Sequence, residues 1–308
     1  TDRGSMRWKL LPMLLLWLTV AGGCKHGNHY AGLQSALEQF VADKDAHIGI
    51  AVIIDGRDTV AVNAHEQFPM LSVYKFPIAL AMAEVCRERN IPLDRMIEFG
   101  RDDLHADTYS PMTVHILSSS TVHTEELKMP MTSLLRYMLQ QSDNNASDIV
   151  MREAGGADTV DSYLKKIGID GIRVYCSEAD MHSDNSLCYA NSSTPMAMAR
   201  LMDWFDNMHD DSISATIKHM METCATGTGR LQAPIVDAGG VTGHKTGTGF
   251  ELPDGRLMAV NDAGYVHLPD GRRYSIAVFI DNSGYDLEAS EALIAEISRI
   301  VVEEMLRH

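Results

Sequence analysis

The sequence predicts a mixed fold, α/β plus all-α, in which an antiparallel sheet is flanked by N- and C-terminal helices and carries an inserted helical domain. Two observations support this. Strand-like apolar runs occur near both ends of the chain, and helical spacing of apolar residues dominates the part between them. A sheet built from both ends leaves the middle to form a separate layer. We therefore place the sheet domain at about 30–68 and 225–308, and the helical domain at about 69–224.

The N-terminal part of the sheet domain is predicted to be a helix followed by a hairpin. Apolar residues between positions 30 and 45 have the spacing of one helix face. Residues 47–55 form a continuous apolar run that indicates a strand, and Asp55-Gly56 is a hairpin turn signal. A second strand at residues 59–63 then returns beside the first.

The middle of the chain is predicted to be helical. The run that follows Ser72 is apolar on nearly all sides, as expected for a buried helix. Helical spacing, without a strand pattern of any length, continues at residues 131–140, 146–153, 160–167 and 195–208.

The C-terminal part of the chain is predicted to return to strands. Strand patterns occur at residues 241–246, 257–260 and 274–281, and residues 269–271 (Pro-Asp-Gly) have turn chemistry. A long amphipathic pattern at residues 287–306 predicts a closing helix.

Composition and charge exclude several classes of protein. The chain has 308 residues, 45% hydrophobic and 22% charged, which is ordinary for a globular protein and excludes intrinsic disorder. Its net charge of −16 repels phosphate backbones, so no nucleic-acid partner is expected. The five cysteines and 13 histidines show no metal-ligand spacing, so neither a metal nor another cofactor is predicted.

The first 23 residues have the layout of a secretory signal peptide. Arg7 and Lys9 precede an apolar run at residues 10–20, and small residues follow at 21–23. This run is shorter than the roughly 20 residues that span a bilayer. Cys24 after Ala-Gly-Gly resembles a lipobox, which leaves two alternatives: a lipid anchor at Cys24 or plain cleavage nearby. In either case we expect export, to the periplasm.

Three short motifs occur along the chain. In order they are S-x-x-K at residues 72–75, S-D-N at 142–144 and K-T-G at 245–247. A lysine one helical turn after a serine can reach its hydroxyl. Second copies of the first two motifs occur at 162–165 and 183–185, and we interpret both as structural. The copy at 162–165 lies within an amphipathic helix pattern, where a serine hydroxyl bonds to local backbone.

In this order the three motifs resemble those of the penicilloyl serine transferases, the superfamily of penicillin-binding proteins and serine β-lactamases. Class A β-lactamases carry a glutamate 36 positions after the S-D-N serine, and Glu178 occupies that position. Pro195 follows Glu178 by 17 residues, the length of the class A omega loop. The resemblance covers residues 30–308. It implies a β-lactamase/transpeptidase-like fold and hydrolysis of the amide bond of β-lactam antibiotics.

Three departures resemble the extended-spectrum and cephalosporinase-like subgroup of class A. His182 and Asp148 stand where the family usually has asparagines, and Ser72 and Ser142 are 70 residues apart, a longer gap than in the commonest members. The subgroup implies a preference for cephalosporins. Three roles stay open for His182: orienting the hydrolytic water, pairing with Asp148, or packing the omega loop.

The resemblance implies a mechanism with a covalent intermediate. Ser72 attacks the lactam carbonyl, and either Lys75 or Glu178 removes its proton. The backbone N–H groups of Ser72 and Thr248 form the oxyanion hole. Ser142 protonates the lactam nitrogen, and Glu178 activates the water that hydrolyses the acyl-enzyme.

The remaining candidates are expected to bind the substrate. They are Tyr109, Asn144, His182, Arg230, Lys245, Thr246 and Thr248. Tyr109 would form an aromatic wall, and Asn144 would hold both Lys75 and the side-chain amide of the substrate. Lys245 with its two threonines would bind the carboxylate of the drug. Arg230 is our substitute for an arginine that many members carry and that residues 261–264 lack.

Two other functions are weighed against this one. A D-Ala-D-Ala peptidase or other penicillin-binding protein would lack the base that deacylates the serine, so Glu178 argues against it. A non-catalytic envelope lipoprotein or β-lactam sensor would not need the whole set of catalytic residues. The expected partner is a small-molecule β-lactam, and the expected oligomeric state is a monomer.

Overall fold

The computed structural model describes residues 29–118, 126–209 and 211–307. The predicted signal peptide and Cys24 lie outside these ranges. Among the helices described, none is long and apolar enough to cross a membrane. The architecture is a five-stranded antiparallel sheet with helices on both faces, next to a layer made of helices. The predicted fold class is confirmed.

The strands of the described residues form three sheets. In chain order they are β1 (His47–Ile54), β2 (Asp58–Val62), β3 (Phe68–Pro69), β4 (Met96–Gly100), β5 (Glu126–Pro130), β6 (Ile172–Arg173), β7 (Ser192–Ser193), β8 (Val241–Thr248), β9 (Leu257–His267) and β10 (Arg273–Ser283). The main sheet has the order β2-β1-β10-β9-β8. All of its neighbouring strands are antiparallel, and they come from both ends of the chain.

The helices fill the middle of the chain and flank the sheet. In chain order they are α1 (Ala31–Val41), α2 (Lys75–Glu88), α3 (Pro111–Ser118), α4 (Met131–Gln140), α5 (Asn144–Ala154), α6 (Ala157–Lys166), α7 (Glu178–Ser183), α8 (Pro195–Asp206), α9 (Ser212–Glu222), α10 (Gln232–Asp237) and α11 (Leu287–Arg307). A short 3-10 helix, Leu71–Tyr74, leads directly into α2.

The hairpin at the start of the sheet follows from local sequence. Asp55 and Gly56 both have positive φ angles, 48° and 67°. The N–H of Arg57 donates to the Ile54 carbonyl at 3.0 Å, which closes the turn. Two positive φ angles are the signature of the type I′ turn, whose twist matches that of paired strands. The predicted hairpin is therefore present, and β2 begins at Asp58.

The continuous apolar run of β1 reflects burial on both faces of the sheet. Ile50 and Val52 point into a core shared with α1 and α11. Ala51 and Ile53 belong to a second core, which contains α2, α4, α5 and α8. Successive side chains of a strand point to opposite faces. A strand covered on both sides therefore shows no polar alternation in its sequence.

The helical layer is organised around α2. Most of its residues are buried, including Lys75 at its first position. Helices at 131–140, 146–153, 160–167 and 195–208 were expected, and α4, α5, α6 and α8 lie there.

Several elements differ from the sequence-based expectation. The predicted strand at 257–260 continues to His267. The polar residues Asn261 and Asp262 interrupt the apolar pattern in the sequence, but in the structure their side chains are buried and hydrogen bonded. The middle of the chain also contains the β4–β5 pair and the two-residue strands β6 and β7, where only helices were expected. These strands are only two to five residues long, so any period-2 pattern in them is too short to stand out.

Candidate active site

Ser72 lies in the 3-10 turn in front of α2, against strand β8. Leu71, just before it, has a positive φ of 47°. A Cβ added to Gly247 would lie 2.5 Å from the Met70 carbonyl oxygen and 3.2 Å from the Ser72 nitrogen. Only glycine permits this approach of two backbones. The close approach places the backbone of Ser72 beside the end of β8, where Thr248 follows Gly247.

The side chain of Lys75, one helical turn after Ser72, is fully buried. Its Nζ donates to the backbone carbonyl of Ser142 at 2.8 Å and to Asn144 Oδ1 at 2.6 Å. The same ammonium lies 3.0 Å from Glu178 Oε1. Three residues from separate elements therefore meet at one buried cation.

Ser142 and Asn144 are placed by the buried carboxylate between them. Asp143 caps α5, and its side chain accepts the N–H of Ala146 at 2.8 Å and that of Met112 at 2.7 Å. Ser142 has a positive φ of 58°. The Asp143 cap thus joins α5 to the start of α3 and sets the direction in which its two neighbours face.

Lys245 lies on β8, on the opposite side of the cleft from Lys75. It is fully buried, and its Nζ donates to Ser142 Oγ at 3.1 Å and to the Thr246 carbonyl at 2.8 Å. Burial lowers the pKa of Lys245 to about 7. The positive charge of Lys75 acts in the same direction, because two nearby cations disfavour each other.

Glu178 begins α7, and Asp148 of α5 holds this end of the helix. The two carboxylate oxygens of Asp148 accept the N–H groups of Glu178 and Ala179, at 2.7 Å and 2.9 Å. Burial raises the pKa of Asp148 to about 6, against the effect of these donors. Both oxygens of Asp148 thus bond to backbone. Among the described residues no contact joins Asp148 to His182, the pairing that the sequence left open.

The buried oxygen of Glu178 has an unusual environment. Its Oε1 forms the ion pair with Lys75 but accepts no hydrogen bond of good geometry within the described residues. A buried acceptor without a hydrogen bond is costly unless a ligand or solvent uses it. His182, one turn further along α7, is exposed and faces the same cleft.

Asn191 is a buried site residue that sequence reasoning missed. Its Oδ1 accepts the N–H of Tyr175 at 2.7 Å, and its Nδ2 donates to the Cys176 carbonyl at 2.9 Å. The backbone carbonyl of Asn191 accepts the N–H of Met70 at 2.9 Å. Asn191 therefore closes the base of the loop that carries Glu178 and ties it to the Ser72 segment. No local pattern marks it, because its partners are distant in sequence.

Two adjoining cavities share Ser72 and together form the cleft. One, of about 170 Å³, is lined by Glu178 and His182 together with Cys188 and Phe250. The other, of about 280 Å³, is lined by Tyr109, Ser142, Asn144, Thr226, Thr246 and Thr248. The cleft thus collects candidates from α5, α7, the turn before α2, and β8. Cys188 and Phe250 were not expected there.

Arg230 is buried at the back of β8 rather than solvated. Its guanidinium donates to Thr248 Oγ1 at 2.6 Å and to the Gly247 carbonyl at 3.0 Å. It forms an ion pair with Glu291 of α11 at 2.9 Å. The structure therefore brings Arg230 to the end of the cleft, where it contacts Thr248 directly.

The second motif copies form local contacts. Ser162 is exposed on α6, and Lys165 pairs with Asp161. Ser183 donates to the carbonyl of Asp180 at 2.7 Å. In the described ranges no group of three His, Cys, Asp or Glu side chains is arranged to hold a metal ion.

Comparison with known proteins identifies the family. The model of the β-lactamase enzyme family matches residues 32–305. A β-lactamase of Bacteroides uniformis is 34% identical over 303 residues, covering 97% of this chain and 100% of that protein. The extended-spectrum β-lactamase PER-1 of Pseudomonas aeruginosa is 30% identical over 279 residues, covering 89% of this chain and 88% of that protein.

A solved structure agrees with these sequence relatives. The crystal structure of a representative of class A β-lactamase from Bacteroides cellulosilyticus DSM 14838 matches with a TM-score of 0.82 and 32% identity. The match covers 90% of this chain and 98% of that one. The chain therefore belongs to the β-lactamase enzyme family and is a class A serine β-lactamase.

Proposed function

We propose that this β-lactamase acts through an acyl-enzyme on Ser72. The observation that carries the proposal is the buried Nζ of Lys75, which contacts Ser142, Asn144 and Glu178 at 2.6–3.0 Å one helical turn after Ser72. The Ser72 hydroxyl attacks the lactam carbonyl, and its proton goes either to Lys75 in its neutral amine form or, through a water, to Glu178. Ser142, bonded to Lys245, then donates a proton to the lactam nitrogen as the C–N bond breaks.

The oxyanion formed in this step needs two aimed N–H donors. The backbone N–H groups of Ser72 and Thr248 are the candidates, and the glycine contact at Gly247 supports their proximity. Each such donor contributes about 3 kcal/mol to transition-state stabilisation.

Glu178 is proposed as the base for deacylation. Its buried Oε1 accepts no hydrogen bond within the described residues and is therefore available for a proton from water. The hydroxide equivalent attacks the ester carbonyl, the ester C–O bond breaks, and the proton returns to Ser72 Oγ. His182 lines the same cavity and is proposed to contact substrate or water there.

The carboxylate of the substrate is proposed to bind at the end of β8. Lys245 supplies a cation, and Thr246 and Thr248 supply hydroxyl groups. Arg230 contributes through its contact with Thr248. Tyr109, whose side chain is exposed at the cleft, would form an apolar wall, and Asn144 would bind the side-chain amide.

Cephalosporins are the proposed preferred substrates. The support is the subgroup resemblance at His182 and Asp148, together with the relative named as an extended-spectrum enzyme. The test compares kcat/KM for a penicillin and a cephalosporin with matched side chains. A clear preference for the penicillin would remove this part of the proposal.

The mechanism is tested with a chromogenic cephalosporin and intact mass spectrometry. Wild type should turn over continuously, Ser72→Ala should be inactive and unlabelled, and Glu178→Gln should accumulate an acyl adduct. Ser162→Ala is the matched control, because it alters the second S-x-x-K copy, and it should match wild type. A single burst with a stable wild-type adduct would instead indicate a penicillin-binding protein or sensor.

We further propose that the protein is exported to the periplasm as a monomer. The charged and apolar pattern of the first 23 residues supports export, and the monomer is the default expectation. The mass of the mature N-terminus decides between a lipid on Cys24 and plain cleavage, and light scattering reports the oligomeric state. Retention of the first 23 residues in the mature protein would contradict the signal-peptide assignment.

A further inference from the structure

A fully buried histidine–aspartate pair lies behind Lys245, within the sheet. His244 precedes Lys245 on β8, and Asp262 stands on the adjacent strand β9, opposite Thr246. The Nδ1 of His244 lies 2.9 Å and 3.1 Å from the two carboxylate oxygens of Asp262. Both side chains are 0% exposed. Two ionisable groups are rarely buried together unless they are paired.

The sheet is shaped to accept this pair. His244 is opposite Gly264 on β9. A Cβ at Gly264 would lie 2.8 Å from the Cβ of His244. Any other residue there would push the imidazole away from Asp262.

Asp262 also connects the pair to the anion site. One of its oxygens accepts the N–H of Leu231 at 3.2 Å. The preceding residue, Arg230, donates to the carbonyls of Asn261 and Gly247. The carboxylate therefore joins β8, β9 and the Arg230 segment, which together surround the end of the cleft.

The charges around Lys245 show why a buried carboxylate matters there. Lys75 pairs with Glu178, and Arg230 pairs with Glu291, whereas the described contacts of the Lys245 ammonium are two neutral oxygens. Burial, Lys75 and Arg230 all lower the pKa of Lys245, while the Cys224 thiol and Asp262 oppose them. Asp262 is the carboxylate among these opposing groups.

We infer that Asp262, held by His244, is a positioning residue for substrate binding, whose buried negative charge keeps the Lys245 ammonium charged and in place to receive the substrate carboxylate. The inference rests on the proposed role of Lys245 as the anion site. Asp262 does not touch the substrate in this arrangement. It acts on Lys245 from the neighbouring strand β9.

The protonation of His244 is consistent with this role. Burial opposes the imidazolium, but Asp262 outweighs it and raises the pKa of His244. The Nε2 of His244, however, is buried without a hydrogen-bond partner in the described part of the chain. With or without a proton on that nitrogen, Nδ1–H donates to the Asp262 carboxylate and fixes its orientation.

The test measures kcat and KM of wild type and Asp262→Asn from acid to alkaline pH. Two substrates are used, an anionic cephalosporin and its neutral carboxylate ester. For the acid, Asp262→Asn should raise KM about tenfold with a small change in kcat, as for two coupled neighbouring groups. In Asp262→Asn the alkaline limb of the kcat/KM profile should move to lower pH, because the ammonium of Lys245 loses the nearby carboxylate that stabilises it. The ester should show neither effect.

Three further variants separate charge from structure. His244→Asn places an amide N–H near the position of Nδ1, so Asp262 stays paired and the alkaline limb should stay near that of wild type. Asp262→Leu removes the charge and keeps the branched shape of the side chain. It should repeat the Asp262→Asn result and replaces that variant if Asp262→Asn folds poorly. Asp206→Asn alters the more exposed His267–Asp206 pair, 2.8 Å long and at the far end of β9, and should leave KM unchanged.

The outcomes distinguish the two proposals. Equal losses for acid and ester, an unmoved alkaline limb in a folded Asp262 variant, or a His244→Asn profile equal to that of Asp262→Asn would each overturn the positioning role. Absence of turnover by wild type with either substrate would instead contradict the proposed function.

Discussion

The cleft holds two fully buried lysines, one on each side, and their partners differ. Lys75, on the helical side, forms an ion pair with Glu178 and donates to Asn144. Lys245, on the sheet side, contacts only neutral oxygens in the described structure, and burial lowers its pKa to about 7. The helical side carries a cation already neutralised by a base. The sheet side holds a cation that an incoming carboxylate can neutralise.

The difference shows how one residue type is assigned two proposed tasks by its surroundings. A buried charge needs a partner, and the partner decides what else can bind. With a resident carboxylate, the pair can exchange protons with the nucleophile. Without one, the site is proposed to bind the carboxylate of the substrate.

The largest effect is expected from the helical side. Glu178→Gln removes the base beside Lys75, and general-base loss costs about 10²–10⁴-fold in rate. Deacylation should fall at least that much while acylation continues, so intact mass should show an accumulated adduct. Glu291→Gln, the matched change beside Arg230 on the sheet side, should lower turnover by less than about tenfold. Equal losses of turnover in Glu178→Gln and Glu291→Gln would contradict the proposed difference between the two sides of the cleft.

A smaller effect is expected at the sheet-side cation. Lys245→Met keeps the apolar stem and removes the charge, so kcat/KM for an anionic β-lactam should fall about 10- to 100-fold, the range for a lost charged hydrogen bond. In wild type, kcat/KM should fall as pH rises above about 7, because Lys245 becomes neutral there. Lys128→Met, at an exposed ion pair with Glu98, is the control and should behave as wild type. A pH-independent kcat/KM between 6 and 8 would contradict the assignment.

Asp148 should show a more modest effect on activity and a pH-dependent effect on stability. Asp148→Asn keeps one acceptor for two N–H groups, so the start of α7 loosens and deacylation should fall about tenfold. The pKa of Asp148 is raised from 3.8 to about 6, so the folded protein binds this proton more tightly than the unfolded chain does. Its ionisation therefore costs stability as pH rises through this interval.

Melting curves between pH 5 and 7 measure the stability part. The Tm of wild type relative to Asp148→Asn should increase as pH falls from 7 to 5. Single-turnover kinetics measure the activity part. A difference in Tm that stays constant across this range would show that Asp148 does not titrate there.

The smallest effect on chemistry is expected at Asn191. Asn191→Ala removes the side-chain bonds that close the base of the Glu178 loop, at a cost of about 2 kcal/mol, or roughly 4–8 °C in Tm. Asn185→Ala, an exposed change on the same loop, should leave Tm within about 1 °C. Calorimetry checks both. An unchanged Tm for Asn191→Ala would mean that the loop is held elsewhere.

Much of the fold could be read from local sequence. The Asp55-Gly56 turn, the apolar run of β1 and the helix after Ser72 each express a preference that neighbouring residues set. The three motifs with Glu178 supplied the family through their order and spacing. The β4–β5 pair was missed because Met96–Gly100 and Glu126–Pro130 are only five residues long and pair across a long separation.

The sequence by itself determined the fold class, the set of candidate catalytic residues and the family. Hydrophobic period, turn chemistry and motif spacing can all be observed along the chain without knowing which residues meet in space. Only the tertiary structure decided that Arg230 is buried, that Asn191 closes a loop, and that Asp262 lies behind Lys245. Each of these depends on partners distant in the chain. Burial and charge act through space, so their effects on a residue become visible only when the strands and helices are assembled.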